Sequence, residues 1–496
     1  MTSPARPRRL ALVAAALAAL VLSAAQFAPR PADAAVFDPK TFTLENGLRV
    51  VLVENHRVPA VVQMVWYKVG AADEPRGKSG IAHFLEHLMF KGTASVEPGA
   101  FSKVVARHGG RDNAFTGQDY TAYHQTVAKD YLDLVMKMEA DRMSNLVLTD
   151  AVVDPERDVI LEERRARIDN QPTALLGEAM DSALYRNHPY RIPVIGWASE
   201  MAGLKTADAL GFYKRHYAPN NAILVVAGDV SLEELKRLAQ EHYGDIPRGP
   251  DVERERVTEP PQLAARRVTL ESPQVREPTL RRNYYAPSAT AGATQHAYAL
   301  EVLSEILGGP TGRLYRDLVI ERGIAAAAGA WYSPDSLDMT KFGFYAVPRQ
   351  GKSVEDLEAA LDEAIARLLR DGVTVDEVAD ATKRLKASAV FARDDLETAA
   401  QVLGAALATG RSIDDVEQWP ARIGAVTAEQ VNIAARAVLK PEGSVTGILL
   451  PKPAEAASAT PAQAPAQAPA QTPAKTPVEG APAGAPQPSQ PAKNPS

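Results

Sequence analysis

The sequence predicts an α+β protein built as two successive halves. Three observations carry that prediction. Strand-type alternation and helix-type periodicity interleave from residue 41 onward. A stretch rich in Pro, Arg and Glu, residues 248–266, interrupts them and reads as a linker. The rhythm of strands and helices before that linker returns, coarsely, after it. At 496 residues the chain is also too long for one core. A hydrophobic content of 46% with 23% charged residues suits a globular chain. The net charge of −6, with no basic stripe interleaved with aromatics, argues against a nucleic-acid partner.

Both ends differ from the body. Arg6, Arg8 and Arg9 precede an apolar run from Leu10 to Ala25 that only Ser23 interrupts, and Ala32-Asp33-Ala34 follows. Positive start, short apolar run and A-x-A site read as a signal peptide over 1–34. Export to a bacterial periplasm is the first expectation, with an extracellular or N-terminally anchored chain as alternatives. No stable membrane span is expected after cleavage. The absence of Cys excludes thiolate metal ligands and a Cys nucleophile. Residues 452–496 are Pro/Ala/Gln repeats that cannot bury a core and read as a disordered tail.

The first half spans 36–247. Thr41–Leu44 and Leu48–Val53 flank Asn46-Gly47 and predict a hairpin. Val61 to Val69 alternates as a further strand. A polar loop, Asp73 to Gly80, leads into Ile81-Ala82-His83-Phe84-Leu85-Glu86-His87-Leu88-Met89-Phe90. On a helix His83 and His87 lie one turn apart on one face, with Glu86 near it. The remaining residues are apolar, so the helix should be partly buried. Two imidazoles on one face suit a zinc ion, and a carboxylate that is not a ligand suits the base that activates water. In this H-x-x-E-H order the histidines would bind metal and Glu86 would be the base.

A helix from Gly99 to about His108 comes next, then strand pieces around Asn113-Ala114-Phe115-Thr116 and Tyr120 to His124. A long helix, Ala128 to Ser144, carries Met136, Met138 and Met143 at core spacing. Asp154 is read as the N-cap of another helix with Pro155 at its first position. Glu156 and Glu163 lie two turns apart on this helix, and one carboxylate from it is a natural third ligand. The same charges also read as a solvated face paired with Arg157, Arg164 and Arg165.

Taken together, these residues resemble the pitrilysin and mitochondrial processing peptidase family of inverted zinc metallopeptidases. The resemblance runs through His83-Phe84-Leu85-Glu86-His87, Phe90-Lys91-Gly92-Thr93, Asn113-Ala114-Phe115-Thr116, the Glu156/Glu163 spacing, His188-Pro189-Tyr190 and Tyr217 to Asn221. It implies two tandem homologous α/β-roll domains, with antiparallel-rich sheets and helices on one face, facing each other around a cleft. It implies one zinc ion held by His83, His87 and Glu163, with Glu162 next in register, and Glu86 as general base. Glu156 would support a ligand. Asn113, Ala114 and Phe115 would hold the substrate backbone as an added strand.

The second half, 267–450, is expected to be a homologous domain without a metal site, since His296 is its only histidine. Tyr284-Tyr285 ends a strand. His296–Leu307, Arg313–Glu321, Val354–Arg370 and Val375–Phe391 read as helices, and Phe342–Val347 as a strand. Many relatives grip the substrate carbonyl with an Arg and a Tyr from this half. Here Tyr332 and Arg349 are out of register, and Ala326 stands where a Tyr is usual. The resemblance therefore implies a zinc endopeptidase for peptides or unfolded segments in an enclosed chamber. It would be paired with a homologous chain lacking H-x-x-E-H, or with itself. A dedicated maturation peptidase and a non-catalytic assembly subunit are the alternatives.

Overall fold

Gly47 takes φ +94°, the left-handed conformation that the Asn-Gly turn requires. The turn joins β1 (Lys40–Thr43) to β2 (Arg49–Glu54) as an antiparallel pair. This computed structural model describes residues 36–452; the leader and the tail beyond Lys452 lie outside the described residues. Along the first half follow β3 (Ala60–Tyr67), α1 (Ile81–Leu88), α2 (Ala100–Arg107), β4 (Arg111–Thr116) and β5 (Thr121–Ala128). Then come α3 (Leu132–Ser144), α4 (Asp150–Arg164), α5 (Pro172–Leu184), α6 (Thr206–His216), β6 (Ala222–Gly228) and α7 (Leu232–Tyr243).

The first sheet has the order β1-β2-β6-β3-β5-β4, with β2 and β6 parallel and the other pairs antiparallel. Every residue of β6 is buried, which is why it is an unbroken apolar run. One face of the sheet packs against Phe84 and Leu88 of α1, Phe101 of α2, Met136 and Met143 of α3 and Ile160 of α4. The methionines expected in the core are there.

The second half contains β7 (Arg266–Ser272), β8 (Thr279–Ala286), α8 (Ala297–Gly308), β9 (Ala325–Tyr332), β10 (Thr340–Pro348), α9 (Val354–Asp371) and α10 (Val375–Ala392). It closes with α11 (Leu396–Ala408), α12 (Ala428–Val438) and β11 (Ser444–Pro451). Its sheet runs β7-β11-β8-β10-β9, with β7 and β11 parallel. Strand for strand this repeats β2-β6-β3-β5-β4, so the duplication is one of topology. β9 takes the edge position that β4 holds in the first sheet.

The halves exchange helices. Leu176, Met180 and Leu184 of α5 pack on Val445 and Leu449 of the second sheet. Leu403 and Leu407 of α11 pack on Val62, Met64, Trp66 and Val225 of the first. Each sheet thus has both faces covered, one by its own helices and one by a helix of the other half. Among the described residues no helix is long and apolar enough to cross a membrane.

Three predicted elements are corrected. The helix expected from Ala128 begins at Leu132, because Ala128 is the last residue of β5. Helix α4 begins a turn earlier than expected, with Thr149 before it and Pro155 inside it. The fully buried Val153 anchors that extra turn in the core, and the Val152 and Val153 amides both donate to Thr149 O at 2.9 Å. Asp154 caps nothing; it accepts from Arg157 at 2.7 Å. The helix expected over 313–321 is a wide π-type turn at Tyr315–Glu321, where Arg322 N reaches Asp317 O at 2.9 Å.

Candidate metal centre

The centre is built where α1 crosses α4. Gly80 opens α1 with φ +87°, and a Cβ there would meet Ile195 O at 2.7 Å, so only glycine fits. The Glu74 carboxylate then accepts from Gly80 N and Ala82 N, each at 2.9 Å, satisfying two free donors at the helix start. Phe84, Leu85 and Leu88 bury the core face of α1 and fix its rotation. That leaves His83 and His87 stacked edge to face, with ring centroids 4.8 Å apart.

Glu163, on the last turn of α4, faces both rings. Its Oε2 lies 3.7 Å from His83 Nε2 and 3.4 Å from His87 Nε2. Both gaps are too long for good hydrogen bonds, and Glu163 Oε2 is a buried atom without a hydrogen-bond partner. Tetrahedral ligands 2.0–2.1 Å from one zinc ion stand roughly 3.4 Å apart. The donor set therefore fits a zinc ion: one ligand atom from each residue lies within 4.8 Å of the others. The other oxygen of Glu163 is held by Arg167, at 2.7 Å. Its neighbour Glu162 points away and pairs with Arg165 in solvent, as the 100° step between adjacent helical residues dictates.

His87 Nδ1 donates to Glu156 Oε1 at 2.9 Å, and Lys91 pairs with Glu156 Oε2. This contact directs His87 Nε2 toward Glu163. Without a metal the surroundings push the two imidazoles in opposite directions. Burial and the neighbouring His87 hold His83 down at about 4. Burial also works against charge on His87, but the Glu156 and Glu163 carboxylates outweigh it and lift the ring to about 9. Glu86 is buried between them in sequence. Burial raises its carboxyl above the usual range, and the Thr116 hydroxyl, donating to Oε2 at 2.6 Å, works against that.

β4 is the edge strand beside this centre. Ala114 faces the α1 layer, whereas Phe115 faces the other way and packs edge-on against Trp66, with centroids 5.3 Å apart. Asn113 Oδ1 accepts from Ala114 N at 2.9 Å. Of these three residues, only Ala114 turns its side chain to the α1 face. The linker is pinned as well: Arg254 and Arg256 bind Asp73 at 2.9 and 2.6 Å, one residue before the Glu74 that caps α1. Arg256 also reaches Asp338 of the second half at 3.0 Å.

Sequence reasoning gave no role to Arg167, Thr116 or Glu74. Arg167 was within reach, four residues after Glu163 on a helical stretch; Glu74 was not, because its partners are backbone amides across a loop. The one other group of metal-ligand type among the described residues, Asp133, Glu241 and His242, lies largely in solvent.

Two histidines and a glutamate converging beside the buried Glu86 carboxyl form the kind of donor set that a zinc-dependent hydrolase uses. The insulinase (peptidase family M16) model matches residues 49–197, and the M16 inactive-domain model matches residues 204–385. The chain belongs to the M16 peptidase family, with a peptidase domain followed by an inactive-type domain. It is 31% identical to the zinc protease PqqE of Helicobacter pylori, over 74% of this chain and 82% of that one. It is 32% identical to an uncharacterized zinc protease of Mycobacterium tuberculosis, over 84% and 96%. Among solved structures, a protease from Helicobacter pylori superposes with a TM-score of 0.78 at 28% identity, covering 84% of this chain and all of that one. The periplasmic protease PqqL of Escherichia coli shares the fold at TM-score 0.73 and 21% identity; 85% of this chain matches 48% of that chain.

Proposed function

We propose that this chain is an exported zinc endopeptidase that hydrolyses peptides or unfolded segments in an enclosed chamber. The convergence of His83, His87 and Glu163 on one point, beside the buried Glu86, carries this reading. A zinc ion held there would polarise the scissile carbonyl and lower the pKa of water. His87, oriented by Glu156, and His83 each offer Nε2, and Glu163 offers Oε2. Glu86, with Oε2 held by Thr116, takes the proton of the attacking water on Oε1 and returns it to the leaving amine. The backbone at Asn113, Ala114 and Phe115 adds the substrate as an outer strand to β4, which favours extended, unfolded chains over folded ones.

A second module closes the chamber: a homologous chain lacking H-x-x-E-H, or a second copy. Two observations support this. PqqL carries the matched fold within about half of its length. In the second half, Tyr332 donates to Pro287 O at 2.6 Å and Arg349 to Val319 O, so both side chains are engaged away from the centre. The leader pattern at 1–34 supports export to the periplasm.

The test compares residues 35–452 with the Glu86→Gln protein. One zinc per chain in both, with peptide cleavage only in the parent, is the expected result. Zinc without cleavage in the parent would assign catalysis to the paired assembly. Absence of zinc would overturn the proposal.

A further inference from the structure

The hydrogen bond that holds Glu86 comes from neither metal-binding helix. Thr116 Oγ1 donates to Glu86 Oε2 at 2.6 Å, and Thr116 is the last residue of the edge strand β4. Strand alternation places Thr116 with Ala114 on the α1 side, opposite Phe115. A buried glutamate has three rotatable bonds, and one strong hydrogen bond to a fixed strand selects among its rotamers. The strand is itself held, because β5 pairs with it from Arg111 to Thr116 and Trp66 and Tyr120 clasp Phe115.

We propose that Thr116 is a positioning residue for Glu86, so that the strand receiving the substrate also sets the carboxylate that acts on it. A peptide added to β4 is placed relative to backbone atoms only two residues from Thr116. Substrate and base then share one frame, and docking registers the scissile bond with Oε1 of Glu86. This inference rests on the peptidase reading above.

The experiment measures kcat, KM and zinc content for the parent, Thr116→Val, Thr116→Ser and Glu86→Gln. Thr116→Val keeps the shape and removes the donor. Its kcat should fall about 10- to 100-fold, the worth of one hydrogen bond to a charged group, with zinc content unchanged. KM should stay within about twofold, because ground-state binding is untouched. Thr116→Ser restores the donor and should recover activity to within about threefold of the parent. Crystals of the metal-free Thr116→Val protein should show Glu86 in more than one rotamer, against one in the parent. Thr116→Ala gives a second donor-free variant should valine crowd the site. Wild-type kcat in Thr116→Val with Glu86→Gln inactive would overturn this inference and leave the peptidase reading standing. Loss of zinc in the donor-free variants would overturn it too, since the role would then be structural. Activity in Glu86→Gln would instead overturn the peptidase reading itself.

Discussion

Glu156 Oε1 accepts the Nδ1 proton of His87 at 2.9 Å, while Lys91 closes the other carboxylate oxygen. A carboxylate in this position fixes the tautomer and makes the ring a better donor at Nε2. Glu156→Gln keeps an acceptor but loses the charge, and it leaves Lys91 without its partner. Zinc affinity, measured by competition with a chelator, should fall about 10- to 100-fold. An unchanged affinity would reduce Glu156 to a buried ion pair with Lys91 that has no part in holding the metal.

Beneath α1 lies a second charged network that contributes to stability. Arg142 donates to Glu139 at 2.9 and 2.6 Å, and Gln125 adds a third bond to the same carboxylate at 3.0 Å. The Arg142 guanidinium also stacks on Phe101 and Tyr123, 4.3 and 4.5 Å from the ring centroids. Arg142→Met leaves Glu139 buried and unpaired and should cost about 3–5 kcal/mol in urea denaturation. Adding Glu139→Gln removes the orphaned charge, so the double variant should be more stable than Arg142→Met alone. Additive losses would contradict the pairing argument.

Much of the centre was legible because its signals are local. The i, i+4 spacing of His83 and His87 places both rings on one face of any helix, and the Asn46-Gly47 turn sets its hairpin alone. The choice between Glu162 and Glu163 was not local, since it depends on the rotation of α4 against α1. Buried Val153 sets that rotation, and it also moved the helix start ahead of Asp154. Strand β9 is not legible in the sequence, because Ala325 to Ala330 has little intrinsic preference for a strand; pairing with β10 imposes it. The exchange of α5 and α11 between halves leaves no sequence mark, because a helix apolar on one face does not say which sheet it covers.

That exchange has a sharp test at Gly404, in the middle of α11. A Cβ there would meet Trp66 Nε1 at 2.1 Å, closer than any tolerated contact. Gly to Ala inside a helix ordinarily gains about 1 kcal/mol. Overpacking a tight contact costs about 1–3 kcal/mol, and here the obstacle is a fully buried indole that cannot swing aside. Gly404→Ala should therefore be neutral to destabilising, and Gly404→Val clearly destabilising. A rise in stability in both would mean that α11 does not seat on the first sheet as described.

Glu301 of α8 gives the chain a pH dependence unrelated to the metal. Burial pushes its carboxyl up to about 8, although Trp419 Nε1 donates to Oε2 at 2.7 Å and works the other way. In the unfolded chain the group titrates near 4.5. Between those values the folded state keeps a proton that the unfolded state has lost. Stability from this group is therefore full below the unfolded value and falls as pH rises through the window to the folded one. Glu301→Gln cannot ionise and still accepts from Trp419. Its stability should match the parent near pH 4.5 and exceed it by on the order of 4 kcal/mol at pH 8. Denaturant midpoints at several pH values across that window read the difference directly. A gap that stays constant with pH would show that Glu301 is already ionised in the folded chain, stabilised by the nearby Arg411.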